Sequence, residues 1–107
     1  MSEIVIIAEL QLAAGREAEA LELLSRLCDQ THAKDDGCLL YAVHRVAGDP
    51  TGVFLVEKWR SRDDLDRHIA SDHIREKRAR EGDLFAGPAK ATFVEPVGFG
   101  LPSMASL

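Results

Sequence analysis

Glu57, Trp59, His68 and His73 are the residues whose types and spacing could carry chemistry. Glu57 and Trp59 stand two apart in an apolar segment, so on a strand both side chains leave the same face. A carboxylate half-buried beside an indole is costly unless it is paired or solvated. Glu57 is therefore either a polar group lining a cavity or a structural acid held by an arginine or a helix end. Trp59 is core or ligand contact on the same evidence. His68 follows Leu65 by three and falls on the inward stripe of a helix. There an imidazole can take up a proton near neutral pH, or simply bond a backbone group. His73 lies past a break at Ser71-Asp72. On a continuous helix the two histidines would point about 140° apart, which is wrong for an i,i+4 zinc pair. Neither H-E-x-x-H nor a cysteine pair accompanies them, so no metal is expected. Tyr41, the only tyrosine, joins Glu57 and Trp59 if its strand turns that face to the helices, and its phenol would then need a partner. His32 and His44 have weaker claims.

Other chemistries lack their residues. The chain shows no phosphate loop, nucleophile elbow, dinucleotide fingerprint or catalytic cysteine–histidine signature. Arg75, Lys77, Arg78 and Arg80 read as a solvated helix face. With 13 basic and 18 acidic residues the net charge is −5, a poor basis for binding nucleic acid through phosphates. No apolar run approaches the roughly 18 residues of a membrane span, and the opening residues lack a secretory signal. The cytoplasm is the expected compartment. Cys28 and Cys38, without C-x-x-C spacing, are expected as reduced thiols there.

The elements that must position these residues follow from periodicity. Residues 3–12 are rich in Ile, Val and Leu and predict a strand whose first half is buried on both faces. Residues 16–34 predict a helix with Ala20, Leu24, Leu27 and Thr31 on one stripe. Gly37 marks the exit, and residues 38–46 predict a second strand with Leu39, Tyr41, Val43 and Arg45 on one face. The cluster Ala47-Gly48-Asp49-Pro50-Thr51-Gly52 is a turn leading into a third strand, 53–59. Ser61 followed by Asp63 and Asp64 starts a helix with Leu65, His68 and Ile69 inward. A second helical piece spans 73–81 and ends at Gly82, and residues 89–97 predict the last strand.

The order β-α-β-β-α-β predicts an α+β, ferredoxin-like split βαβ fold with an antiparallel sheet and helices on one face. A length of 107 residues holds one domain, assigned to 1–97, with 98–107 as a surface or frayed tail. Leu40, Ala42, Val46, Phe54 and Val56 make the helix-free face apolar too. A small domain should not leave such a face in water, so a twofold homodimer is expected.

Glu57-x-Trp59-x-Ser61, followed by Leu65-x-x-His68-x-x-Ser71-x-His73, resembles the antibiotic biosynthesis monooxygenase family. The resemblance runs from the opening strand and Gly15 through Asp36-Gly37-Cys38 and Tyr41 to Glu95-Pro96-Val97, about nine-tenths of the chain. It implies a dimeric α+β barrel and, in the quinol monooxygenase-like subgroup, cofactor-independent oxygenation of a small quinol or phenol. The substrate anion then passes electrons to oxygen while the protein deprotonates and orients it. The matching positions are His68 and His73 as catalytic groups, with His68 the proton acceptor. Tyr41, Glu57 and Trp59 match the substrate-binding walls. Haem-degrading relatives carry an asparagine, a tryptophan and an iron-binding histidine where this chain has Ala8, His68 and Arg78, so haem degradation is not implied.

Two other readings stand beside the oxygenase. One is an isomerase or other proton-transfer enzyme on a small polar metabolite, and a phosphorylated one would want Arg or Lys in the pocket, with Arg45 and Arg60 as the candidates. The other is a non-catalytic binding dimer, which would lack an open cavity beside His68.

Overall fold

A computed structural model describes residues 3–107. The elements are β1 (Ile4–Gln11), α1 (Glu17–Lys34), β2 (Cys38–Arg45), β3 (Gly52–Trp59), α2 (Arg62–Ile69), α3 (Asp72–Leu84) and β4 (Lys90–Val94). The sheet is antiparallel throughout, in the order β2-β3-β1-β4. This is the ferredoxin-like arrangement, with the second helical region split in two.

Alternation along the strands builds the core. Ile6, Ala8, Leu10 and Leu12 from the first strand and its exit meet Val53, Leu55 and Trp59 from β3 beneath the helices. Leu23, Leu24 and Leu27 of α1 close over them, with Leu65 and Leu84 from α2 and α3. Register puts Glu57 opposite Ile6 on one side and Tyr41 on the other, in the interior of the sheet.

Two serines divide the second helical region. Ser61 Oγ accepts from the Asp64 amide at 3.2 Å to start α2, and Ser71 Oγ accepts from the Ile74 amide at 3.3 Å to start α3. Between them the Ser71 amide and hydroxyl both donate to the His68 carbonyl, at 3.0 and 2.6 Å. The chain therefore turns at Ala70–Ser71, and His73 starts a new helix with its own direction.

Four details differ from the periodicity reading. The β2–β3 register shifts between Cys38 and Leu40, so Cys38 shares the core face with its partner Trp59 while Leu39 is extruded to solvent. Ile69 is exposed because the buried stripe of α2 is Asp64, Leu65 and His68. The third helix runs through Gly82 to Leu84, which anchors it in the core. The last strand is shorter, Lys90–Val94, and ends where pairing to β1 stops.

Leu40, Ala42, Phe54 and Val56 lie on the helix-free face, where Phe54 remains exposed. The segment after β4 carries exposed Val97, Phe99, Leu101 and Met104 and one 3-10 turn, Pro102–Met104. Near its end it returns to the sheet, where Lys58 Nζ donates to the Leu107 carbonyl at 2.8 Å.

Candidate active site

Asp35 organises the site. It caps the C-terminus of α1, its amide donating to the Thr31 carbonyl at 3.0 Å. A carboxylate there faces the negative end of the helix dipole, a costly position unless other groups compensate. The compensation comes from two imidazoles on one oxygen. Asp35 Oδ2 lies 2.5 Å from His68 Nδ1 and 2.8 Å from His73 Nε2. The break between α2 and α3 lets both histidines converge on it.

The sheet supplies the other wall. The His68 ring sits 4.5 Å from that of Trp59 and 5.2 Å from that of Tyr41, centroid to centroid. Trp59 is 0% exposed and His68 3%. Glu57 Oε1 accepts from Trp59 Nε1 at 3.0 Å, which fixes both residues on the strand face that the pattern assigned them. The five residues singled out in the sequence thus form one cluster, with Asp35 as the member that sequence reasoning missed. Its signal was an acid at a helix C-terminus, where a base is preferred. The Tyr41 hydroxyl has no hydrogen-bond partner among the described residues.

Burial dominates the electrostatics. It raises the Glu57 carboxyl above its ordinary value, opposed by the Trp59 hydrogen bond and the Lys77 charge. It raises the Tyr41 phenol strongly, with Glu57 adding to the effect. The Cys38 thiol is pushed up to about 11 by burial and by the Asp35 charge, so it is protonated at neutral pH. For His68, burial lowers the pKa against the opposing pull of Asp35. A neutral His68 that donates Nδ1–H to Asp35 leaves Nε2 as an acceptor. No hydrogen bond occupies Nε2 among the described residues.

A second polar cluster locks the two halves of this site together. The buried Asp64 carboxylate accepts from Arg60 at 2.9 Å on each oxygen, from Ser61 at 2.7 Å, and from Arg67. These partners hold its pKa down to about 2, with the Arg60 and Ser61 bonds foremost. Gly37 lies against this carboxylate with φ +80°, and its carbonyl accepts from the Arg60 amide at 2.8 Å. The loop that carries Asp35 is thereby tied to the first turn of the helix that carries His68. Arg60 is committed to Asp64, and Arg45 is exposed on the far end of β2. Neither belongs to the histidine cluster.

Two cavities bear on access. A groove of about 540 Å³ lies on the helix-free face, lined by Val5, Lys58, Val94, Pro96 and residues 105–107. It contains none of the clustered residues. A cleft of about 140 Å³ between α1 and α3 is lined by Leu23, Arg26, Leu27, Gln30, Glu76 and His73. Neither cavity is lined by His68.

The Asp35, His68 and His73 donor atoms lie within 4.8 Å of one another, so among the described residues this is the set that could hold a divalent ion. Angular spacing on one continuous helix would hold the two histidines apart, and the break at Ala70–Ser71 removes that constraint. Here both imidazoles share one Asp35 oxygen, and the 2.5 Å approach of His68 Nδ1 is shorter than the about 2.7–2.9 Å of an ordinary charge-assisted hydrogen bond.

The antibiotic biosynthesis monooxygenase family model matches residues 3–80. The chain is 31% identical over 96 residues to a Mycobacterium tuberculosis protein named "Putative monooxygenase Rv0793", covering 90% of this chain and 93% of that one. The solved structure of Rv0793 superposes with a TM-score of 0.81 at 30% identity, covering 90% of this chain and 96% of that one. PA3566 from Pseudomonas aeruginosa superposes with a TM-score of 0.84 at 22% identity, over 91% and 96% of the two chains, a likeness of fold. No helix among the described residues is long and apolar enough to cross a membrane.

Proposed function

Because the chain belongs to the antibiotic biosynthesis monooxygenase family, we propose that it is a cofactor-independent monooxygenase of the quinol type, acting on a small quinol or phenol. Without a redox cofactor the substrate supplies all the electrons. A ring C–H of the phenol becomes C=O, the hydroxyl becomes the second carbonyl, and the other oxygen atom leaves as water. The protein's part is to generate and hold the phenolate. His68 takes the phenolic proton at Nε2 while Asp35 holds Nδ1–H and stabilises the imidazolium that forms. Tyr41, Glu57 and Trp59 wall the site.

The observation that carries this reading is the shared Asp35 oxygen, which orients two imidazoles beside an aromatic wall. The reading as an isomerase of a phosphorylated metabolite has less support, since Arg45 and Arg60 both lie outside the cluster, whereas the non-catalytic binding dimer has one observation in its favour, that His68 lines neither of the two cavities. The working unit is residues 1–97 in a twofold dimer, with 98–107 as its arm. The apolar helix-free face supports that assembly. Two cysteines that form no disulfide accord with a cytoplasmic setting. Oxygen uptake with a panel of phenols, catechols and hydroquinones tests the activity. Isotope-labelled oxygen should place one labelled atom in the quinone product. Turnover of these substrates without oxygen uptake would contradict the reading.

A further inference from the structure

We propose that Asp35, His68 and His73 form a binding site for a divalent ion of the zinc class, and that an ion held there withdraws His68 from its part as proton acceptor. The site stands on side-chain geometry alone. Its effect on the base rests on the oxygenase reading above.

The donor set carries the first part. Two imidazoles and a carboxylate are the protein ligands zinc takes when it keeps a fourth position open. Here they come from the end of α1, the last turn of α2 and the first turn of α3, with their donor atoms within 4.8 Å of one another. All three side chains are buried or nearly so, Asp35 the most open at 9%. Ligands on a four-coordinate ion with bonds of about 2.1 Å stand about 3.4 Å apart, so the Asp35 contacts of 2.5 and 2.8 Å need to open by less than about 1 Å. The Asp64 cluster ties the Asp35 loop to α2 and takes no part in the donor set, so the site is formed before an ion arrives.

Charge and access favour a cation as well. The negative end of an 18-residue helix falls at Asp35, where a divalent ion compensates the carboxylate and the helix end together. Arg78 is the opposing charge felt at His68. Asp35 Oδ1, His68 Nε2 and His73 Nδ1 have no hydrogen-bond partner among the described residues, and none of them is a buried atom. Oδ1 is therefore free for a second bond to the ion, and the two ring nitrogens can donate to water, as those of metal-bound histidines do. The cleft between α1 and α3, which His73 lines, opens the set to solvent.

The second part follows from the protons. An ionised carboxylate only accepts, so without an ion each neutral imidazole donates to Oδ2, from His68 Nδ1 and from His73 Nε2. An ion takes the lone pairs of those same two nitrogens. Each proton then passes through solvent to the other nitrogen of its ring, and no net proton is released. His68 Nε2 becomes an N–H and no longer accepts a phenolic proton. Zinc has no redox chemistry of its own, so it adds no new route for electrons to oxygen.

The test titrates chelator-treated protein with Zn²⁺ by calorimetry and with Co²⁺ by visible absorption. One ion should bind per chain. His73→Gln should weaken binding by about 100-fold or more, since even an outer-shell partner of a metal ligand is worth about 10- to 100-fold. Asp35→Asn serves if that variant does not fold by circular dichroism. His44→Gln and Cys28→Ser lie outside the set and should leave the affinity unchanged. Ring-nitrogen NMR should find His68 protonated at Nδ1 without zinc and at Nε2 with it, and oxygen uptake with hydroquinone should fall by about tenfold or more at saturating zinc. No binding at millimolar Zn²⁺, binding undiminished in His73→Gln, or binding lost in His44→Gln or Cys28→Ser would overturn the site. An unchanged His68 tautomer in the zinc-bound protein would overturn the effect on the base. Zinc binding by a protein that takes up no oxygen would remove the oxygenase reading and leave the site. Oxygen uptake by a protein that binds no zinc would do the reverse.

Discussion

The Asp35 carboxylate meets the His68 imidazole at 2.5 Å across 33 residues of sequence. The bond joins the end of α1 to the end of α2, and His73 adds the start of α3. Asp35 therefore has a task in both packing and chemistry. It compensates two buried imidazoles, and it determines which nitrogen of His68 is left to act.

Removing the charge while keeping the shape separates these tasks. In Asp35→Asn the side chain can still bond one imidazole, but it no longer stabilises an imidazolium. Turnover of a quinol should fall by about 10²-fold or more, within the range of a compromised general base. Thermal unfolding should show a fold that persists. Wild-type turnover in this variant would show that Asp35 is structural only.

The rate should rise with pH. Burial lowers the His68 pKa below its ordinary value of about 6.5, so the base is freed at a lower pH than an exposed histidine would be. Stability moves in the same sense. Between the folded value and about 6.5 the unfolded chain binds a proton that the folded chain does not, so stability rises with pH across that window. Asp64 acts lower down. Its contribution is present above about 3.9 and is lost as pH falls towards about 2. Denaturant melts across the acid range should show both, and His68→Asn should remove only the upper one.

Gly37→Ala should destabilise by about 1–3 kcal/mol. Two causes add. A φ of +80° strains any residue with a Cβ, and that Cβ would run into the Asp64 carboxylate. The substitution should also loosen the Asp35–His68 contact, read as a rise in exchange of the histidine ring protons. A variant as stable as wild type would mean that the loop has slack the geometry does not show.

The helix-free face should bury well above the roughly 1,000 Å² of a specific interface, in a twofold dimer. Phe54, Val56 and Leu40 should lie near its centre. Light scattering at micromolar concentration should give twice the chain mass, and Phe54→Asp should shift it towards one. A monodisperse wild-type monomer would remove this part of the account.

The strands and helices were legible because 3–12 is rich in Ile, Val and Leu and alternates at its far end, apolar residues recur at helical spacing in 16–34, and residues two apart on a strand share a face. Glu57 and Trp59 were legible as a pair for the same reason. Asp35 was not, because nothing local joins it to His68; the link exists only once α1 and α2 are packed. The convergence of the two histidines was also hidden. It depends on the backbone turn at Ala70–Ser71, and a helical wheel drawn through that turn gives the opposite answer. The extrusion of Leu39 is a property of β-sheet register with Trp59, which alternation within a single strand cannot carry.

Oxygen uptake with a small hydroquinone, wild type against His68→Ala, tests the central claim most directly. After subtraction of spontaneous oxidation, the variant should turn over about 10²- to 10⁴-fold more slowly, the range for a positioned general base. It should remain folded. A folded His68→Ala protein that consumes oxygen as fast as wild type would contradict the account, and His68 would be a packed helix residue and nothing more.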